Sequence, residues 1–65
     1  MIERRLIEKL RINSKLGVLY RDSDRDVYLK GRLDDLSNDS ISLEKDDGKL
    51  FFVSLSRIIS IKVLG

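Results

Sequence analysis

The 65-residue chain has no cysteine, no histidine and no proline, and only four aromatic residues, two Tyr and two Phe. Without cysteine there is no disulfide framework, and the lack of histidine also removes the usual zinc ligands and the Cys- or His-based nucleophile arrangements. Without proline, nothing of that kind blunts the edges of a sheet. No apolar run approaches the roughly 20 residues of a membrane span. The first residues alternate Glu and Arg instead of setting a basic stretch before an apolar one. The chain is therefore expected to be soluble and unprocessed, with a cytoplasmic setting compatible with its composition. A domain this small buries only about 60% of the surface its unfolded chain exposes. With disulfides and the usual zinc ligands excluded, oligomerisation is the common remaining way to add buried area.

Charge is nearly balanced, with 13 basic against 11 acidic residues and a net charge of +2. That is a weak argument for a polyanionic partner. Its distribution is uneven. Residues 1–15 hold Arg4, Arg5, Lys9, Arg11 and Lys15 against Glu3 and Glu8, five minus two, and the remainder holds eight basic against nine acidic residues.

Ile2, Leu6, Ile7 and Leu10 recur at helical spacing with charged residues between them, which predicts an amphipathic helix over about 2–12 with one face on a sheet. Asn13-Ser14 are good helix terminators. From Lys15 the period becomes two. Leu16, Val18 and Tyr20 mark one face of a first strand, Asp22-Ser23-Asp24 a hairpin loop, and Val27, Leu29, Gly31 and Leu33 the apolar face of a second. A glycine on that face allows the sharp bend a small barrel needs. Leu36, three beyond Leu33, breaks the alternation and predicts a bulge. Ile41 and Leu43 carry a third strand, and Asp46-Asp47-Gly48 is a strong hairpin signal. Phe51, Val53 and Leu55 are expected to face inward from a fourth strand, with Phe52 outside or at an edge. Ser56-Arg57 makes a short connection to a fifth strand carrying Ile59, Ile61 and Val63.

Helix plus five bent strands, with Gly31, Leu33, Leu36-Ser37, Ile41 and Leu43 at matching offsets and Val53–Ile61 as a strand, tight turn and strand, resembles the Sm-like family of Sm, LSm and Hfq proteins. The resemblance implies a mainly β fold, a strongly bent five-stranded antiparallel small barrel of the SH3-like kind behind one N-terminal helix. It covers the chain as a single domain, residues 1–65, with strands over about 15–64. Family members commonly carry Asp and then a base-stacking aromatic after the second strand, where this chain has Ser37 and Asp39. At the family's Ile-Arg-Gly-any-Asn the chain reads Val53-Ser54-Leu55-Ser56-Arg57, so Arg57 keeps a strong donor at that turn.

The resemblance implies a non-enzymatic, ring-forming homo-oligomer that pairs edge strands and binds single-stranded RNA at the ring face or pore. Arg57 offers five donors in a fixed fork, and Ser37 and Asn38 occupy the neighbouring loop, where plain turn chemistry is the competing reading. Arg4, Arg5 and Arg11 could track a phosphate backbone, or form a solvated face. Phe52, Ile58 and Leu64 offer apolar area to a neighbouring subunit, and Tyr28, pointing outward, is expected to fill a subunit contact in preference to stacking a base. The alternative is an SH3-like protein-interaction or structural module without nucleic-acid binding.

No catalytic group, metal site or cofactor is expected. Asp22, Asp24 and Asp26 have one-apart spacing but lack the glycine and bidentate glutamate of an EF-hand loop. The Asp34-Asp35 and Asp46-Asp47 pairs lie in turns with no partner group beside them.

Overall fold

A computed structural model describes residues 9–65. The period-two stretches form five strands, β1 (Lys15–Asp22), β2 (Arg25–Leu36), β3 (Ser40–Glu44), β4 (Leu50–Ser54) and β5 (Ile58–Val63), with one 3₁₀ turn, Leu55–Arg57, before the last. All neighbours are antiparallel in one open sheet of order β4-β3-β2-β1-β5. Consecutive strands pair through short turns, and β5 returns across β1, so β4 and β5 become the two edges.

Each turn has a local cause. Ser23 takes the positive φ of the two-residue β1–β2 hairpin, at 58°, and Gly48 supplies φ 85° in the β3–β4 turn. There the Gly48 N–H donates to the Lys45 carbonyl and the Lys45 N–H to the Lys49 carbonyl, both at 2.9 Å. This is the pattern of a hairpin with a glycine bulge.

β2 controls the curvature. Twelve residues in a straight strand would run about 40 Å, and the described residues extend 27 Å along their longest principal axis. The strand therefore bends. At Gly31 an added Cβ would lie 3.0 Å from the Glu44 carbonyl oxygen and 3.2 Å from the Leu43 Cβ, so glycine permits the close approach of β3. The register then slips between Leu33 and Asp35, leaving Asp34 as a bulge. Its carboxylate accepts a 3.3 Å hydrogen bond from Ser42 Oγ, which satisfies the one buried polar side chain among the described residues.

The concave side holds the core: Leu16, Val18, Leu29, Leu33, Ile41, Leu43, Val53, Leu55 and Ile58, with Leu10, Tyr20, Leu36 and Ile61 packed against it. Burial of such a side chain contributes about 1.5–3 kcal/mol.

Three expectations are corrected. Residues 9–12 of the expected helix are turn and irregular chain, and residues 2–8 of it lie outside the described residues. No helix ends at Asn13-Ser14; instead Asn13 adopts φ 73°, its N–H donates to the Leu33 carbonyl at 2.7 Å, and the Leu33 N–H donates to the Ser14 carbonyl at 2.9 Å, which ties this segment to β2. Leu55 is buried as expected, but it opens the 3₁₀ turn instead of ending β4. In β5 the inward residues are Ile58 and Ile61, because Leu19 pairs with Ser60 and Tyr20 with Ile58. Ile59 is bulged out and 45% exposed, whereas Ile58 is 1% exposed and belongs to the core, so it has no side-chain surface for a neighbour.

Candidate nucleic-acid interface and assembly edges

Two turns meet at one end of the sheet. The Leu55 N–H donates to the Asp39 carbonyl at 2.9 Å, tying the 3₁₀ turn to the β2–β3 turn and bringing Arg57 to the same end as Ser37 and Asn38. Arg57 is exposed and lines an open cleft of about 620 Å³ with Tyr20, Asp22, Phe52, Ser54 and Ser56. A smaller recess of about 70 Å³ is lined by Asp35, Ser37, Ser40, Ser42 and Phe52. Phe52 lines both and is 73% exposed, so an aromatic surface stands where the β2–β3 turn itself offers none.

Ser37 is engaged inside its own turn. Its Oγ accepts from the Ser40 N–H at 3.2 Å and lies 2.9 Å from Ser40 Oγ. These are the bonds of a turn-forming serine. Asn38 is exposed beside it, and Arg11 is exposed near the start of the described chain. Arg4 and Arg5 lie outside the described residues.

The acidic balance here is unfavourable to a polyanion. Asp22 lines the cleft with Arg57, Asp35 lines the recess and Asp39 stands in the turn, three carboxylates beside one guanidinium.

A different surface has the opposite character. On the convex face of the sheet, Gly17 of β1 pairs with Lys30 of β2 on one side and Lys62 of β5 on the other. Opposite residues in antiparallel strands project from the same face, so the two lysines flank Gly17 at about two strand spacings, about 9–10 Å apart at the backbone. Tyr28, opposite Leu19, leans across to Gly17. A Cβ at Gly17 would overlap the Tyr28 hydroxyl and lie 2.7 Å from its Cζ. The tyrosine is held down over the glycine and remains 51% exposed.

The next row pairs Lys15 with Arg32. Arg32 is engaged by Glu44 at 2.9 Å, and Arg21 by Asp26 at 2.8 Å. Among the described residues, Lys15, Lys30 and Lys62 have no ion-pair partner. This face can meet a negatively charged strand with three free ammonium groups and one aromatic platform. Tyr28, expected to be outward, is so, but it lies on the second strand in from the β5 edge, away from an edge-to-edge contact.

No family model and no curated protein matches the chain.

The edges are the remaining feature. β4, Leu50-Phe51-Phe52-Val53-Ser54, carries no charged residue, and Leu50, Phe51 and Phe52 are 47%, 39% and 73% exposed. Phe51 pairs with Leu43 on the core side, yet it stays exposed because no strand lies beyond β4; Lys45 Nζ sits 5.6 Å from its ring centroid. On β5, Ile59 and Val63 are exposed. Leu64 is half-buried, its N–H donating to the Lys15 carbonyl at 2.8 Å. An uncharged, apolar edge strand is a template for another strand. Among the described residues, no group of three or more carboxylates could hold a metal ion, and no helix is long and apolar enough to cross a membrane.

The Tyr28–Gly17 contact was missed in the sequence because it is diagonal across two strands. The one available signal was a glycine at an outward position of a strand, two before an outward apolar residue.

Proposed function

We propose that this chain is a non-enzymatic Sm-like domain of the cytoplasm. It assembles head to tail through its β4 and β5 edges and binds single-stranded RNA on the assembled surface. The observation that carries the RNA reading is the Tyr28 ring laid over Gly17 between Lys30 and Lys62. An exposed aromatic face stacks any base, and flanking cations follow the backbone, which is the common chemistry of single-strand binding. The electrostatics favour this face over the turn end, where Arg57 stands among carboxylates and contributes a single guanidinium. The assembly reading is supported by the sheet order, which leaves two short strands, each with one unpaired side and exposed apolar side chains.

The test is fluorescence anisotropy with oligo-U and oligo-A at low and high salt. Three phosphates neutralised by Lys15, Lys30 and Lys62 give a slope of log K against log salt of about −2 for a single strand. Lys30→Glu with Lys62→Glu should abolish binding. No binding to either oligonucleotide at low salt removes the RNA reading and leaves the protein-interaction module, which the bare aromatic edge of β4 favours.

A further inference from the structure

Tyr28 brings more to the convex face than a ring. Its hydroxyl lies directly over Gly17, where a Cβ would overlap it. Lys30 and Lys62 pair with Gly17 from either side, so each rises from the backbone about one strand spacing, about 5 Å, from that point. Both are exposed. A flexible four-carbon stem lets each ammonium reach an oxyanion seated above the hydroxyl.

None of the three groups is used inside the molecule. Among the described residues the Tyr28 hydroxyl makes no hydrogen bond, and neither lysine has an ion-pair partner. Glu44, the carboxylate opposite the next outward position of β2, is held by Arg32.

Two ammoniums and one neutral hydroxyl donor around a single point select the anion. A phosphodiester inside a strand carries one negative charge, and two of its four oxygens are tied up in ester bonds, so it leaves one ammonium uncompensated. A phosphate monoester carries about −1.5 to −2 at pH 7 and keeps three acceptor oxygens. That gives one oxygen to each donor and balances both cations. The aromatic part of the site is equally small: Tyr28 is the one aromatic at an outward position of β1, β2 or β5, because Tyr20 packs against the core. One ring stacks one base.

We propose that the convex face captures the end of a single strand: the Tyr28 hydroxyl, Lys30 and Lys62 hold a terminal phosphate monoester, and the Tyr28 ring stacks the terminal base. This rests on the RNA reading above and adds which part of the strand is recognised. Lys15, one outward position from Gly17 along β1, meets the next phosphate. A 5′ and a 3′ phosphate offer the same chemistry, and the test separates them.

The experiment is fluorescence anisotropy of the full chain at low salt with oligo-U and oligo-A carrying an internal dye. Each is made with a 5′ phosphate, with a 3′ phosphate, or with hydroxyls at both ends. One phosphorylated form should bind at least roughly tenfold more tightly than the form with two hydroxyls. Lys30→Gln with Lys62→Gln should abolish that preference, and Tyr28→Phe, which keeps the ring and removes the hydroxyl, should weaken it. Lys45→Gln with Lys49→Gln removes the same charge from the β3–β4 turn and should leave the preference as it is in the unaltered chain. Circular dichroism of each variant checks the fold. Equal binding of all three forms, or a preference that falls equally in the two double-lysine variants, overturns end capture and leaves the RNA reading in place. No binding of any form overturns the RNA reading itself.

Discussion

The β4 and β5 edges are both short strands with one unpaired side, yet they are protected differently. β5 carries Lys62 in its length and is interrupted by the bulge at Ile59, two devices that discourage pairing. β4 has neither. It presents Leu50, Phe51 and Phe52 on a strand without a single charge, and the acidic residues lie only in the turns at its ends. The sheet is therefore asymmetric: one edge is an uncharged apolar strand and the other a charged, bulged one. The same asymmetry separates the convex face, where unpaired lysines surround Tyr28, from the acidic turn end around Ser37.

The largest expected effect breaks the scaffold on which both edges depend. Leu33 and Leu43 are each 0% exposed and pair across β2 and β3. Leu33→Ala is expected to cost about 2–5 kcal/mol, measured by urea denaturation, with both edges lost together in so small a domain.

Next, the β5 bulge is sharpened by comparing neighbours. Ile58→Ala, at 1% exposure, is expected to cost about 2–5 kcal/mol. Ile59→Ala, at 45% exposure, is expected to stay within about 0.5 kcal/mol in the monomer. Equal losses would mean that the bulge is absent and that the alternation runs on through Ile59.

The convex face comes third. Gly17→Ala puts a methyl group where the Tyr28 hydroxyl lies, so the ring must move. RNA affinity should then fall about as far as in Tyr28→Ala, by the roughly 1–3 kcal/mol of one stacked base. An unchanged affinity in both variants would take Tyr28 out of the binding surface. The smallest effect is the Arg32–Glu44 pair, which is more than one-third exposed on both sides. A double-mutant cycle should give less than about 1 kcal/mol, leaving the convex face and the β4 side electrostatically separate.

Much of this scaffold was legible in the sequence because it rests on local chemistry. Asp22-Ser23-Asp24, Gly31, the break before Leu36 and Asp47-Gly48 each announce a turn, bend or bulge through the residue types themselves, and the strands between them follow from alternation. The β5 bulge was not legible, since Ile58-Ile59 offers two equivalent side chains and only pairing with Leu19 and Tyr20 decides which goes inside. For the same reason Ile58 looked like an interface residue. Gly17 and Tyr28 are eleven positions apart in sequence and meet only because of the β1–β2 register. Of the residues first associated with RNA, Arg57, Ser37 and Asn38 gather at one end, but the acidic neighbourhood that weakens their reading comes from Asp22, Asp35 and Asp39, which are distant from Arg57 in sequence and meet it only in the fold.

The most direct test of edge-to-edge assembly is hydrogen exchange, residue by residue, at low and high protein concentration in low salt. Amides of Leu50–Ser54 and Ile58–Val63 that face away from the sheet should gain protection together as concentration rises, while those of the β1–β2 hairpin stay unchanged. Protection that does not depend on concentration, or that grows on the convex face instead of at β4 and β5, would contradict it.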